Sequence, residues 1–261
     1  MDSSAGHDGS SGAMSELLER LRVKIFADGA VRETIAELRS NPLVSGFTTN
    51  PTLMRAAGVE NYEACARDLI PLVQPLPISL EVFSDDFDEM EQQARLISSW
   101  GTNVYVKVPV TNTRGESSSP VIRRLVAEGV QLNVTALMTV RQVEEIADAL
   151  SGSLTGFVSL FAGRIADTGR DPVPIVAEAV EALRSQPQLE LIWASPRELL
   201  NVFQADAVGC HVITVTQPLL AKLPWIGRDL DEVSLDTVRM FYDDACAAKY
   251  ALGSPRVRAA G

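Results

Sequence analysis

The feature that most constrains how this chain folds is the order of its predicted elements. From residue 23 onward, short apolar stretches typical of β-strands alternate with longer stretches of helical period. The strands are predicted at 23–28, 44–48, 77–83, 103–108, 130–135, 154–159, 189–194 and 208–214. Helices are predicted at about 30–40, 60–73, 86–99, 116–128, 139–149, 172–185, 196–204, 216–222 and 234–250. Because parallel strands need a long crossover, this order predicts parallel pairing through right-handed helical connections.

Eight strand–helix units in 261 residues fit a closed (β/α)8 barrel, the α/β architecture called a TIM barrel. A doubly wound open sheet is the alternative, but no glycine-rich phosphate-binding sequence follows the first strand. We therefore predict a single barrel domain over 14–261 that includes the C-terminal helix (234–250). The sequence is compatible with two roles for that helix, which are to cover the barrel mouth or to form a contact in a homo-oligomer. Residues 1–13, rich in Gly and Ser, predict a disordered leader or a remnant of an expression tag.

Composition and charge exclude several classes of function. No apolar run is long enough to span a bilayer, and no signal peptide is recognisable. The three scattered cysteines are typical of reduced thiols in a cytoplasmic protein. A net charge of −11 argues against nucleic-acid binding, so an anionic substrate would need a local positive site. With His7 and His211 the only histidines, the sequence argues against a His-based triad or a His-rich metal site, and we predict no metal.

The stretch 103–109 combines a strand pattern with a lysine. Asn103, Tyr105 and Lys107 alternate with valines, and Pro109 ends the strand. A strand buried on both faces would hold Lys107 in the interior, where the charged ammonium is disfavoured and the neutral amine is favoured. A neutral amine can form a Schiff base with a carbonyl substrate. The alternative is a lysine that reaches water at the strand end or pairs with a carboxylate.

Polar residues recur at the ends of the predicted strands. In a (β/α)8 barrel, functional side chains gather at the C-terminal strand ends and in the loops beyond them. Each such residue alone can equally be a helix cap, so their recurrence around one lysine is what indicates a site. The candidates are Asp28, Asn50, Glu81, Lys107, Asn133, Thr135, Ser159, Arg164, Ser195 and Arg197.

A lysine among carboxylates, amides and hydroxyls suits aldol chemistry that needs neither metal nor cofactor. Lys107 would attack a ketose carbonyl, and the resulting iminium would accept electrons while a C–C bond breaks or forms. Asp28 is a candidate for the proton of the substrate hydroxyl, although a turn at Asp-Gly is the alternative. Glu81 is a candidate acid/base acting through a water molecule that Thr135 holds. The two amides, Asn50 and Asn133, would orient substrate hydroxyls.

Three residues after the sixth and seventh predicted strands form a candidate anion site. Guanidinium groups of Arg164 and Arg197 can bind a phosphate, with Ser195 beside them. A helix N-terminus after the seventh strand would add backbone N–H donors. The alternative for each arginine is a solvated surface charge.

With these residues in place, the chain from 23 to 252 resembles the transaldolase family, including its fructose-6-phosphate aldolase relatives. Six ordered motifs carry the resemblance: FADGA (26–30), GFTTNPT (46–52), SLEV (79–82), VYVKVP (104–109), LNVTAL (132–137) and FVSLFAGRIAD (157–167). By this resemblance Asp28 is the acid/base, Lys107 the Schiff-base lysine and Thr135 the residue that holds the catalytic water. The last motif adds Ser159, Phe161 and Arg164 as substrate-binding residues.

The resemblance implies a transferase of carbohydrate metabolism, as in the pentose phosphate pathway. It would move a dihydroxyacetone unit from a ketose phosphate donor to an aldose acceptor without a metal. Phe161 favours transfer, because the hexulose-phosphate aldolases carry a tyrosine there whose hydroxyl helps water release the unit. The alternatives are such an aldolase and an enzyme that builds an unusual sugar in specialised metabolism. The sequence departs from the family at residues 194–198, where Pro196 and Glu198 stand in the phosphate segment.

Overall fold

Eight parallel strands close into a barrel, which confirms the predicted fold class. The computed structural model describes residues 17, 18 and 20–252, so the predicted leader (1–13) lies outside the described residues. Each strand pairs with its neighbours in chain order, and the last strand pairs with the first. The strands, β1 to β8, are Lys24–Asp28, Val44–Thr48, Ile78–Glu81, Val104–Pro109, Leu132–Leu137, Gly156–Leu160, Leu189–Trp193 and Val212–Thr216.

Helices follow the strands, and helices within residues 20–223 pack against the sheet. The described helices, α1 to α11, are Arg32–Arg39, Pro51–Ala56, Tyr62–Val73, Phe87–Ser98, Ser119–Ala127, Val140–Ala149, Ala162–Ala166, Pro172–Leu183, Leu200–Ala207, Gln217–Leu220 and Leu230–Ala247, with a 3₁₀ turn at Leu223–Trp225. Their buried residues recur at helical spacing, as in α6, where Val143, Ile146 and Ala147 are buried. None of the described helices has the length and apolar character needed to cross a bilayer.

Several predicted boundaries are wrong, and local backbone signals explain them. Pro51 starts a separate short helix, α2, capped by the side chain of Asn50, so the predicted helix at 60–73 is preceded by another. A second short helix, α7, follows β6 and was not predicted. The eighth strand lies at Val212–Thr216 instead of 208–214, because α9 continues to Ala207 and Gly209 then takes a positive φ of 75°.

Strand register brings the predicted site residues level with one another. Asp28 on β1 lies opposite Thr48 on β2. Glu81 on β3 lies opposite Lys107 on β4, which in turn lies opposite Asn133 on β5. Since residues that face each other across parallel strands project to the same side of the sheet, these side chains share the barrel interior.

An aromatic layer fills the barrel interior towards the N-terminal ends of the strands. Phe26 and Phe157 pack edge to face with ring centroids 5.4 Å apart, and Tyr105 packs against Phe157 at 4.5 Å. Gly46 makes room for this layer, because a Cβ atom there would lie 2.5 Å from the Phe26 ring. Phe26 precedes Asp28 by two residues on β1, so this apolar layer closes the bottom of the site.

The chain divides into two units, and residues 20–223 form the unit with the barrel. The described part of the other unit is residues 17, 18 and 224–252. Its main element is α11, which was predicted at 234–250 and lies at Leu230–Ala247. Asp229 caps α11 by accepting from the backbone N–H groups of Asp231 and Glu232.

Candidate active site

A cavity of about 420 Å³ opens at the C-terminal ends of the strands. Of the eleven residues that the sequence predicts for the site, ten line it, namely Asp28, Asn50, Glu81, Lys107, Thr135, Ser159, Phe161, Arg164, Ser195 and Arg197. The eleventh, Asn133, is fully buried and contacts the wall from behind. The structure therefore brings the predicted residues together, at the end of the barrel where a (β/α)8 fold carries its chemistry.

Lys107 lies within the barrel with only 6% of its surface exposed. Its Nζ atom donates a hydrogen bond of 3.0 Å to the backbone oxygen of Thr49 and lies 3.2 Å from Oε2 of Glu81. The Thr49 carbonyl can accept from a charged or a neutral amine, so it orients the nitrogen in either state. The amine thus lies at the cavity wall and is held by Thr49, directly after β2, and by Glu81 on β3.

Asp28 lines the same cavity as Lys107. Its Oδ1 accepts a hydrogen bond of 2.8 Å from the hydroxyl of Thr48. Burial raises the pKa of the Asp28 carboxyl, and the charge of Glu81 raises it further, while Lys107 and the Thr48 hydroxyl act in the opposite direction. A carboxyl with a raised pKa holds a proton more readily than an ordinary carboxyl, which suits it to accept a proton and return it.

A buried hydrogen-bond network positions Ser159 on the cavity wall. The Asn133 side chain donates to Oγ of Ser79 at 2.9 Å and accepts from the hydroxyl of Ser159 at 2.7 Å. Both oxygen and nitrogen of the Asn133 amide are therefore used within the protein. Asn133 acts on the cavity by fixing Ser159 and does not face the open space itself.

Thr135 presents a hydroxyl with unused capacity. Its Oγ1 atom is buried and has no hydrogen-bond partner among the described residues. The strand is irregular at this point, since the pairing of β5 with β6 shifts between Val134 and Leu137 and Ala136 has a φ of 66°. A positive φ at a residue other than glycine stores backbone strain, which is typical of functional sites. The free hydroxyl can bind a water molecule or a substrate oxygen.

Asn50 combines the helix-cap role with a place on the cavity wall. Its side-chain oxygen accepts a 2.9 Å hydrogen bond from the backbone N–H of Leu53, which caps α2. The amide nitrogen of Asn50 remains as a possible donor toward the cavity. The cap thus fixes the orientation of this amide.

The candidate anion site contains one paired arginine and one that projects from α7. Arg197 forms two hydrogen bonds with the carboxylate of Asp167, and a third to the Ser195 hydroxyl at 3.0 Å. The pairing lowers the pKa of the Asp167 carboxyl. Gly163 allows the two loops to meet, because a Cβ atom there would lie 1.5 Å from the Ser195 backbone oxygen. Arg164, the next residue, is brought to the cavity by this close approach.

One predicted feature of the anion site is wrong. The helix after the seventh strand begins at Leu200, so Pro196 precedes the helix and does not lie in its first turn. The side chain of Asn201 instead accepts from the backbone N–H groups of Arg197 and Glu198, at 2.7 and 3.2 Å. Glu198 is exposed and is not part of the cavity wall.

The comparison with known sequences agrees with the resemblance of the motifs. A family model described as Transaldolase/Fructose-6-phosphate aldolase matches residues 25–252. The chain belongs to this family. A relative named "Probable transaldolase" from Dehalococcoides mccartyi is 34% identical over 204 residues, which cover 77% of this chain and 90% of the relative. "Probable transaldolase 2" from Listeria monocytogenes is 32% identical and covers 77% of this chain and 88% of its own length.

Solved structures share the fold of this transaldolase-family chain at low sequence identity. Dihydrodipicolinate synthase from Rhodopseudomonas palustris superposes with a TM-score of 0.54 and 14% identity, covering 85% of this chain and 79% of its own. At this identity the likeness concerns the barrel alone.

The structure also places residues at the site of this transaldolase-family chain that sequence reasoning missed. Thr48 and Thr214 line the cavity, and Thr49 supplies the carbonyl that holds Lys107. Asp167 binds Arg197. Thr214 lies inside the strand Val212–Thr216, where a threonine is ordinary β-sheet composition, so no signal in the sequence marked it. The two threonines before Asn50 lie in the family motif at 46–52.

Proposed function

We propose that this protein is a transaldolase-type transferase that moves a three-carbon dihydroxyacetone unit from a ketose phosphate to an aldose acceptor. One observation carries the proposal. The amine of Lys107 is almost fully buried yet opens onto a cavity that also contains the carboxyl groups of Asp28 and Glu81. A lysine nitrogen beside two carboxyl groups supplies the nucleophile and the proton carriers that a Schiff-base cycle requires.

The cycle begins with the neutral amine of Lys107. Glu81 lies 3.2 Å from Nζ and is within reach to accept the proton that the ammonium loses. Nitrogen then attacks the C2 carbonyl of the ketose and forms a carbinolamine. Its hydroxyl is protonated and leaves as water, and the N–C double bond of the iminium forms. The unpaired hydroxyl of Thr135 would bind the water that carries protons between Glu81 and the substrate.

Cleavage and transfer then depend on Asp28. Its carboxylate accepts the proton of the C4 hydroxyl, the C3–C4 bond breaks, and the electron pair moves to the iminium nitrogen to give an enamine. The aldehyde product leaves, while the three-carbon unit stays bound to Lys107. An acceptor aldehyde reacts with the enamine by the reverse steps, and Asp28 returns its proton to the new hydroxyl. Asn50 and Ser159 are positioned to bind the hydroxyl groups of the bound unit.

Acceptor dependence tests the proposal. With fructose 6-phosphate alone, we expect borohydride to trap one reducible adduct per chain and little aldehyde beyond the first turnover. Adding an aldose phosphate should start steady transfer. Continuous release of dihydroxyacetone without acceptor would identify an aldolase instead. If no adduct forms with any ketose phosphate, the proposed Schiff-base chemistry is wrong.

The side chain of Phe161 bears on this choice between transfer and cleavage. Phe161 lines the cavity, packs against the buried apolar layer and carries no hydroxyl that could activate water. We expect Phe161→Tyr to raise the release of free dihydroxyacetone without acceptor about tenfold or more, because a positioned hydroxyl can assist proton transfer. Phe83→Tyr is a matched control, since Phe83 is exposed and is not part of the cavity wall. An unchanged ratio of release to transfer in Phe161→Tyr would remove this role.

Arg164 is the proposed partner of the substrate phosphate, since Arg197 is already paired with Asp167. We expect Arg164→Ala to raise KM for a phosphorylated donor about tenfold or more, because a charge-assisted hydrogen bond contributes about 1.5–3 kcal/mol. KM for unphosphorylated fructose should stay within about twofold of wild type on the same reasoning. Arg123→Ala is the control, since Arg123 pairs with Asp148 outside the cavity. Equal effects on both donors would rule out the phosphate role.

A further inference from the structure

Two buried hydroxyl groups lead from β8 to the carboxyl of Asp28. The Oγ1 atoms of Thr214 on β8 and Thr48 on β2 are in hydrogen-bond contact, and Thr48 Oγ1 lies 2.8 Å from Oδ1 of Asp28. Both β2 and β8 pair with β1, on opposite sides, so the two hydroxyls come from the strands that flank the strand of Asp28. Thr48 and Thr214 are 3% and 6% exposed, so bulk water does not compete effectively for these hydrogen bonds.

The number of protons on each group decides which hydroxyl donates in each of these two hydrogen bonds. A threonine hydroxyl carries one proton and two lone pairs. When Asp28 is ionised, its carboxylate accepts only, so the proton of Thr48 points to Oδ1. Thr48 must then accept in its contact with Thr214, which donates. Each hydrogen bond polarises the next, so the bond that Thr214 donates strengthens the bond from Thr48 to Asp28.

We propose that Thr214, acting through Thr48, is a positioning residue that stabilises the carboxylate form of Asp28 and holds its Oδ1 atom in place. This inference rests on the function proposed above, in which that carboxylate accepts the proton of the substrate hydroxyl. Neither threonine touches the reacting bond in this scheme. Their effect is on how readily Asp28 holds a proton, and therefore on the pH range in which cleavage proceeds.

Burial and nearby charges also decide how readily Asp28 loses its proton. Lys107 on β4 favours the carboxylate, whereas Glu81 on β3 and burial itself disfavour it. A neutral donor close to Oδ1 favours the carboxylate without adding a charge that would compete for the substrate. Removing the hydroxyl of Thr48 therefore leaves Lys107 to oppose both Glu81 and desolvation.

The test measures the titration of Asp28 directly, by NMR of the chain labelled with ¹³C at the aspartate carboxyl carbons. Asp28→Asn identifies the signal. We expect Thr48→Val to move the midpoint upward by about one pH unit, because a hydrogen bond to a charged group is lost. Thr214→Val should move it less but in the same direction. The conservative variants Thr48→Ser and Thr214→Ser should restore the wild-type midpoint, and Thr155→Val, whose hydroxyl contacts Tyr105, is the matched control.

Kinetics give the second readout. The acidic limb of kcat/KM for donor cleavage should move upward with the NMR midpoint in both valine variants. An Asp28 midpoint that stays at the wild-type value in Thr214→Val overturns the inference, whether or not Thr48→Val folds. If wild type forms no reducible adduct, the proposed function fails, yet the NMR midpoints still decide whether the hydroxyls act on Asp28. A shifted midpoint without a shifted acidic limb would contradict the link to cleavage.

Discussion

Lys107→Met is expected to abolish both the borohydride-trapped adduct and transfer of the three-carbon unit. The loss should be about 10⁴-fold or more, because removal of a covalent nucleophile has effects of this order in other enzymes. Methionine fills a similar volume and carries no charge, so the packing of β4 should persist. Its cost is that Glu81 loses the amine 3.2 Å away, although 18% of the Glu81 side chain remains exposed to the cavity. Intact-protein mass after reduction measures the adduct, and circular dichroism checks the fold.

The matched control for this prediction is Lys24→Met. Lys24 is an exposed lysine on β1 that pairs with Glu190 and is not part of the cavity wall. This variant should form the adduct at the wild-type rate. A reducible adduct that persists in Lys107→Met would show that another lysine is the nucleophile.

The barrel and much of its site could be predicted because their signals are local in the sequence. The alternating strands and helices predict a parallel sheet whose strands are buried on both faces, and the position of Lys107 within such a strand predicts that it lies in the interior. The closed barrel then fixes where strand ends converge. Glu81, Lys107 and Asn133 lie level across three consecutive strands, and each falls within a strand that the sequence predicts.

The loops beyond the strands could not be predicted in the same way, since contacts distant in sequence decide them. The pair formed by Arg197 and Asp167 joins residues 30 positions apart and depends on Gly163, whose missing side chain lets the two loops meet. The predicted N–H donors of the seventh loop are occupied by Asn201, which no periodic pattern reveals.

The hydroxyl chain shows the same limit within the strands. Thr48 and Thr214 are separated by 166 positions and meet only because β8 closes on β1. A threonine in an apolar strand is ordinary β-sheet composition, so neither residue stands out before the register is known. The sequence does show which side chains of a strand share a face. Contacts such as the one between Thr48 and Thr214 follow from this only once the barrel is closed.

Asp28→Asn is expected to separate formation of the adduct from cleavage of the C–C bond. Lys107 keeps its contacts with Thr49 and Glu81, so the donor should still form a reducible adduct. Release of the aldehyde should slow by about 10²–10⁴-fold, because loss of a positioned general base costs this much. Asparagine keeps an oxygen that can accept from Thr48, and it removes a carboxyl whose raised pKa shows that ionisation is costly in the folded state. The melting temperature at neutral pH should therefore not fall.

The pH profile makes this prediction sharper. In wild type, cleavage should decline as pH falls through the raised pKa of Asp28, since protonation removes the base. In Asp28→Asn, the residual cleavage should lack that decline. Asp68→Asn is the matched control, because Asp68 pairs with Arg32 at an exposed position. Cleavage within about tenfold of wild type in Asp28→Asn would assign the base to another residue, since loss of a general base has a larger effect. Loss of the adduct together with cleavage would mean that Asp28 is needed before the C–C bond breaks.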